Sequence, residues 1–189
     1  MIRTKYHNFY IVTTRFNQET FDENKHYRQH TLKHPEDKTP FEGCIYGSPR
    51  TFSVDIPKHA HIIVLEMLNI SKNTLQVHEQ HIDYPGKIMG IGFLKNERVQ
   101  WERHSIYSNP SYNRYIYKGG MRIDREDIQD QKTLELLENI LFCSKSHLKR
   151  GRGFTCIPKK RFKNKIHPKT LLTFFSKEQT NLFQISINT

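Results

Sequence analysis

The residues of this chain best suited to chemistry are rings and cations set close together. Trp101, Tyr107 and Tyr112 fall in one polar stretch, residues 96–112, and Tyr46, Tyr115 and Tyr117 stand in neighbouring segments. A nucleobase stacks on such a ring for ~1–3 kcal/mol while nearby cations hold the phosphates. Aromatics interleaved with Arg and Lys suit single-stranded or flipped-out nucleotides better than a duplex groove. For Tyr115 and Tyr117, which lie in a strand-like run, packing in the core is the simpler role. For Trp101, Tyr107 and Tyr112, in a polar loop, a ligand contact competes evenly with core packing.

Other chemistries find less support. Cys143, His147, Cys156 and His167 carry zinc-type donors, but their C-x3-H-x8-C-x10-H spacing matches no common finger. Cys143 also ends the apolar face of a helix, where a buried thiol is ordinary. The 11 histidines are scattered; His59 and His61 flank Ala60, and His78, His81 and His104 sit in loops. None stands at a diagnostic distance from a carboxylate or nucleophile. Glu66 is the one acid placed inside an apolar run, and a half-exposed position or pairing with a basic side chain accounts for it better than catalysis. The Gly90-Ile-Gly92 pair follows a strand but opens no helix, so a dinucleotide site is poorly supported. No phosphate-binding loop, metalloprotease helix, nucleophile elbow or kinase set occurs. No catalytic residue, metal or cofactor is therefore assigned.

Charge gives the partner. The net charge is +11, and its distribution is uneven. Residues 139–177 contain eleven cations and no acid, which leaves 19 cations against 19 acids elsewhere. A local excess of this kind attracts a polyanion. The core of the tract spans residues 145–169. RNA or DNA is the expected partner, and a merely solvated basic face, anionic lipid or an acidic protein are the alternatives. No run approaches the ~20 apolar residues of a membrane span, and the first residues lack the apolar core of a signal peptide. Three widely spaced cysteines argue against a disulfide framework. An intracellular setting is expected: cytoplasm, nucleus, viral factory or virion. A single alanine amid abundant Lys, Asn and Ile resembles the coding bias of an AT-rich genome, such as that of a large DNA virus.

These residues need elements to hold them. Residues 6–16 are rich in aromatic and β-branched side chains and read as a strand. A short surface helix is expected within 17–33, then a turn-rich break at 34–40. The most apolar run, 61–68 (HIIVLEML), has strand length and reads as a buried central strand. Residues 87–94 (KIMGIGFL) form a second strand, paired with the first as a broad hairpin across the polar insertion 71–85. Gly90 and Gly92 within it suggest a bulge or a close backbone approach. Strands are expected at 113–118 and 121–123 around Gly119-Gly120. Residues 124–127 (DRED) resemble an acidic helix start. Residues 130–142 place Leu134, Leu137 and Leu141 on one face of an amphipathic helix. A loop and strand follow over 146–157, and Pro168 marks the start of a last helix.

This order resembles the PUA-like superfamily, in its EVE and YTH branches, over about residues 43–158. Cys44-Ile-Tyr46-Gly47-Ser48 is similar to the segment that opens the YTH pocket. The strand ending Gly90-Ile-Gly92-Phe93 is similar to the second of that family's paired strands. The loop carrying Trp101, Tyr107 and Tyr112 stands where YTH domains supply cage aromatics. His147 to Pro158 looks like the EVE segment that runs past the pocket. Tyr46 stands where YTH places a tryptophan, and the insertion 71–85 is unusual.

The resemblance implies an α+β fold, a small PUA-like β-barrel flanked by helices, that binds RNA or DNA and often reads a modified base. Three parts are expected: an extension (1–41), the barrel (42–158), and a basic tail with a helix (159–189). Tyr46, Gly47, Ser48, Trp101, Tyr107 and Tyr112 are expected to form the base pocket. Arg50, Lys149, Arg150, Arg152, Lys159, Lys160, Arg161 and Lys163 are expected to bind phosphate. A virion-associated assembly protein, or an enzyme modifying or hydrolysing nucleic acid, are the other readings; the enzyme would require a cluster of acids near the pocket.

Overall fold

A computed structural model describes residues 9–33, 39, 41–69, 86–143, 153–158, 161–162, 166, 170–171 and 174. In chain order the elements are β1 (Tyr10–Phe16), α1 (Gln18–His26), β2 (Cys44–Ser48), β3 (His61–Asn69), β4 (Gly86–Lys95), β5 (Tyr115–Gly119), β6 (Met121–Asp124), α2 (Gln131–Glu138) and β7 (Thr155–Cys156). Each helix runs on into one wider turn, Tyr27–Thr31 and Asn139–Cys143. The fold is α+β. Its main sheet has five strands in the order β6-β4-β3-β1-β7, and β2 and β5 form a second, two-stranded sheet. Among the described residues no ladder closes the two into a barrel.

The apolar run of β3 is central for a physical reason. Residues 62–68 are all buried, and a strand covered on both faces must be apolar on both. On one face Ile63, Leu65 and Met67 join Leu134, Leu137 and Leu141 from the α2 segment. On the other, Ile62, Val64 and Leu68 join Ile45 and Tyr46 of β2 and Phe21 of α1. The expected hairpin is present, with β4 antiparallel to β3. Its register steps from Glu66↔Gly90 to Met67↔Ile88, so Met89 is the extra residue of a bulge. The bulge lets Ile88 and Ile91, three residues apart, share one face. Gly90 and Gly92 answer to close approach. A Cβ at Gly90 would lie 2.5 Å from Arg122 Nη2, and one at Gly92 would collide with the Tyr46 hydroxyl.

The helix starts follow from capping. Asn17 and Thr20 form a reciprocal capping box on α1. Asp130 caps α2 through the Thr133 amide at 3.0 Å. The acidic residues 124–127 do not start that helix; they form a separate turn, Arg125–Asp127. The strands around Gly119-Gly120 also part company: β5 pairs with β2, and β6 with β4.

Described residues from both expected flanking parts join the main core. Within residues 1–41, β1 pairs in parallel with β3 along its whole length. Of the described residues beyond 158, Phe162, Ile166, Leu171 and Phe174 are buried against the α2 side of the core. The insertion 71–85 and most of the expected last helix lie outside the described residues.

Candidate nucleic-acid interface

A cleft of about 570 Å³ opens where β1 and β3 end, at Phe16 and Asn69. The first turn of α1 forms one side, and Gly47 and Pro49 of the β2 segment another. Tyr107 and Tyr112 close the third side, and Gly153 the fourth. Ligand sites are commonly about 300–1,000 Å³, so the space suits a nucleoside.

Local chemistry fixes these walls. The Asn113 carboxamide accepts from the amides of Ile106 (3.1 Å) and Tyr107 (3.0 Å) and donates to the Tyr107 carbonyl (2.7 Å). One side chain thus staples the loop that presents both tyrosines. The Ser108 amide donates to Glu23 Oε1 at 2.9 Å, tying that loop to α1. Asn24 of α1 donates to the Ile45 carbonyl at 2.8 Å and to the Tyr107 hydroxyl at 3.2 Å. Burial pushes the Tyr107 phenol well above its ordinary value, so it stays protonated. Tyr112 is half-exposed, and its ring meets that of Tyr107 edge to face, with centroids 6.0 Å apart. The remaining lining is mixed in charge, with Arg15 opposite Glu19 and Glu23. Such a cleft suits the edges of a base better than a row of phosphates.

Gly153, which follows Arg152 in the sequence, lines this cleft. Its φ of +77° is the left-handed region that glycine tolerates. A Cβ there would lie 2.5 Å from Ser48 Oγ. The next residue, Phe154, stacks on Phe52 with centroids 4.2 Å apart. Gly153 and Phe154 are therefore pinned beside β2 and the turn that follows it.

The expected pocket residues divide. Gly47, Tyr107 and Tyr112 line the cleft. Tyr46 does not: its ring is fully buried, and its hydroxyl donates to Glu66 Oε1 at 2.7 Å. Alternation along β2 points it into the core, so it is not a pocket wall. Ser48 is also withdrawn, donating to the Arg50 carbonyl at 2.7 Å and accepting from its amide. Trp101 is 94% exposed and lines no cleft with the others. Arg50 is exposed, and Arg161 is half-buried, one of its Nη atoms lacking a hydrogen-bond partner among the described residues. Lys149, Arg150, Arg152, Lys159, Lys160 and Lys163 lie outside the described residues, as do His147 and His167 of the zinc pattern. Cys143 and Cys156 are exposed. Among the described residues no group of three His, Cys, Asp or Glu side chains gathers in metal-ligating distance.

Beneath the cleft lies a buried polar cluster. Arg122 holds Glu66 in a two-pronged ion pair at 2.8 and 2.7 Å. Burial pushes the Glu66 carboxyl up, but the Arg122 charge and hydrogen bonds outweigh it and hold it below the usual carboxylate value. Burial, with Glu66 nearby, raises the Cys44 thiol to about 12, so it is inert. Of the two expectations for Glu66, pairing holds and half-exposure does not, since both faces of β3 are covered; the partner was not legible, because Arg122 sits on a strand two positions away in the sheet.

No protein-family model, curated protein or solved structure matches this chain. Among the described residues no helix is long and apolar enough to cross a membrane.

Proposed function

We propose that the chain is a nucleic-acid-binding domain of PUA-like type that admits a single-stranded or flipped-out base into the cleft at the ends of β1 and β3. One observation carries the reading. The cleft brings Gly47, Tyr107 and Tyr112 together with Gly153, the residue that follows Arg152 in the acid-free basic tract. Base-sized space, an accessible ring and the anchor of a cationic segment thus meet at one place. Tyr112 offers the stacking face, and Tyr107 is its buried support. Thr14 and Asn69, at the cleft floor, offer hydrogen bonds to a base edge. The basic tract neutralises the flanking phosphates.

Binding of this kind needs no bond making, and the site residues named have positioning roles only. Titration of isotope-labelled protein with nucleoside monophosphates tests the reading. Amide shifts are expected to concentrate at Thr14, Gly47, Asn69 and Tyr112. Shifts confined to surfaces away from the cleft would sink it.

A further inference from the structure

Trp101 belongs neither to the cleft nor to the core. An indole left 94% exposed is unusual for a side chain of this size. Its surroundings are cationic. Arg98 and Arg103 flank it in the chain, and the guanidinium groups of Arg98 and Arg114 lie over the Tyr115 ring, 5.5 and 5.4 Å from its centre. An antiparallel bridge joins Arg98 to Tyr117, and the Val99 amide donates to the Ile116 carbonyl at 3.0 Å. The chain from Arg98 thus runs along β5 towards Arg114, with Trp101 at the end of the run. Two acids stand nearby, each close to a histidine, and the three arginines outnumber them. Glu97 lies 3.6 Å from His59, and Glu102 lies 2.9 Å from His104. His104 also bonds the Tyr27 hydroxyl at 2.9 Å, which anchors the segment to the π-turn that extends α1.

We infer that Trp101, with Arg98, Arg103 and Arg114, is a second contact surface for single-stranded nucleic acid, separate from the cleft. A base stacks on the indole and the guanidinium groups take the phosphates on either side. This rests on the reading of the chain as a nucleic-acid-binding protein. A rigidly based ring beside three arginines, which outnumber the two nearby acids, is what sequence-tolerant stacking requires. Gln100, next to Trp101, lines a hollow with His59 and Asn96, near where β3 begins, whereas the cleft touches Asn69, where β3 ends. A single strand held at both would be gripped along its length.

Trp101 is the one tryptophan in the chain, so its emission reports on this surface alone. The full chain is titrated with an oligothymidylate of about a dozen nucleotides, and separately with inorganic polyphosphate of equal charge. Anisotropy of a labelled oligothymidylate is followed in parallel. Saturable quenching to roughly half or less is expected with the oligonucleotide and not with polyphosphate. Trp101→Ala is expected to weaken the labelled strand about tenfold and Trp101→Phe much less. Unchanged emission while anisotropy shows a bound strand would overturn this surface and leave the cleft standing. Absence of binding in both readouts would overturn both. Quenching that depends on protein concentration alone would make Trp101 a contact between copies and overturn the inference as well.

Discussion

Glu66 and Arg122 show how one buried charge constrains its neighbours. A carboxylate inside an apolar strand requires a cation, and Arg122 meets it with two hydrogen bonds. Gly90 leaves room for the pair, and Tyr46 fills the remaining valence. Removing one partner leaves the other charged and dry, so Arg122→Leu is expected to cost about 3–5 kcal/mol in urea denaturation. The pair also sets an acid limit. The folded Glu66 carboxyl lies below its ordinary 4.5, so its contribution is present above that value and lost as pH falls through the lower folded one. Unfolding free energy should therefore drop below about pH 4.5, and Arg122→Leu should flatten that drop. Tyr46 shows why residue-level reading stops short. Its ring type suited a ligand, but type alone does not say which face of β2 is covered. That depends on β5 and the main sheet, which pair with β2 or cover it from far along the chain.

At the scale of elements, periodicity carried most of what the sequence could say. The alternation-free run of β3, its hairpin with β4 and the leucine face of α2 are all local patterns, and all are present. The bulge was legible from Gly90 and Gly92. The parallel pairing of β1 with β3 was not, because a helix and β2 intervene and no short-range signal marks a crossover. This pairing creates the cleft at the strand ends, so the cleft's floor at Thr14 and Asn69 was hidden with it. Two consequences are testable. Deleting residues 1–16 removes an inner strand of the main sheet, and the remainder is expected to lose cooperative unfolding by circular dichroism. Leu137→Ala, at a fully buried position of α2, is expected to cost about 2–5 kcal/mol and leave ligand affinity unchanged in the folded protein.

For the whole molecule, the chain separates charge from shape. The described sheet and helices build a cleft of mixed polarity, while the net charge of +11 resides in a tract that touches the cleft at Gly153. On the proposed reading, affinity comes mainly from the tract and selectivity from the cleft. Affinity should then fall linearly with salt on a log–log plot, with a slope of about −0.7 for each phosphate held in a single strand.

The most direct test is anisotropy of a labelled single-stranded RNA titrated with the full chain and with Tyr112→Ala over a range of salt. Tyr112 is half-exposed and its ring lines the cleft, so its loss is expected to leave folding intact. The account predicts saturable binding that Tyr112→Ala weakens about tenfold at every salt concentration, with the salt slope unchanged. Equal affinity for the two proteins, or no binding by either, would contradict it.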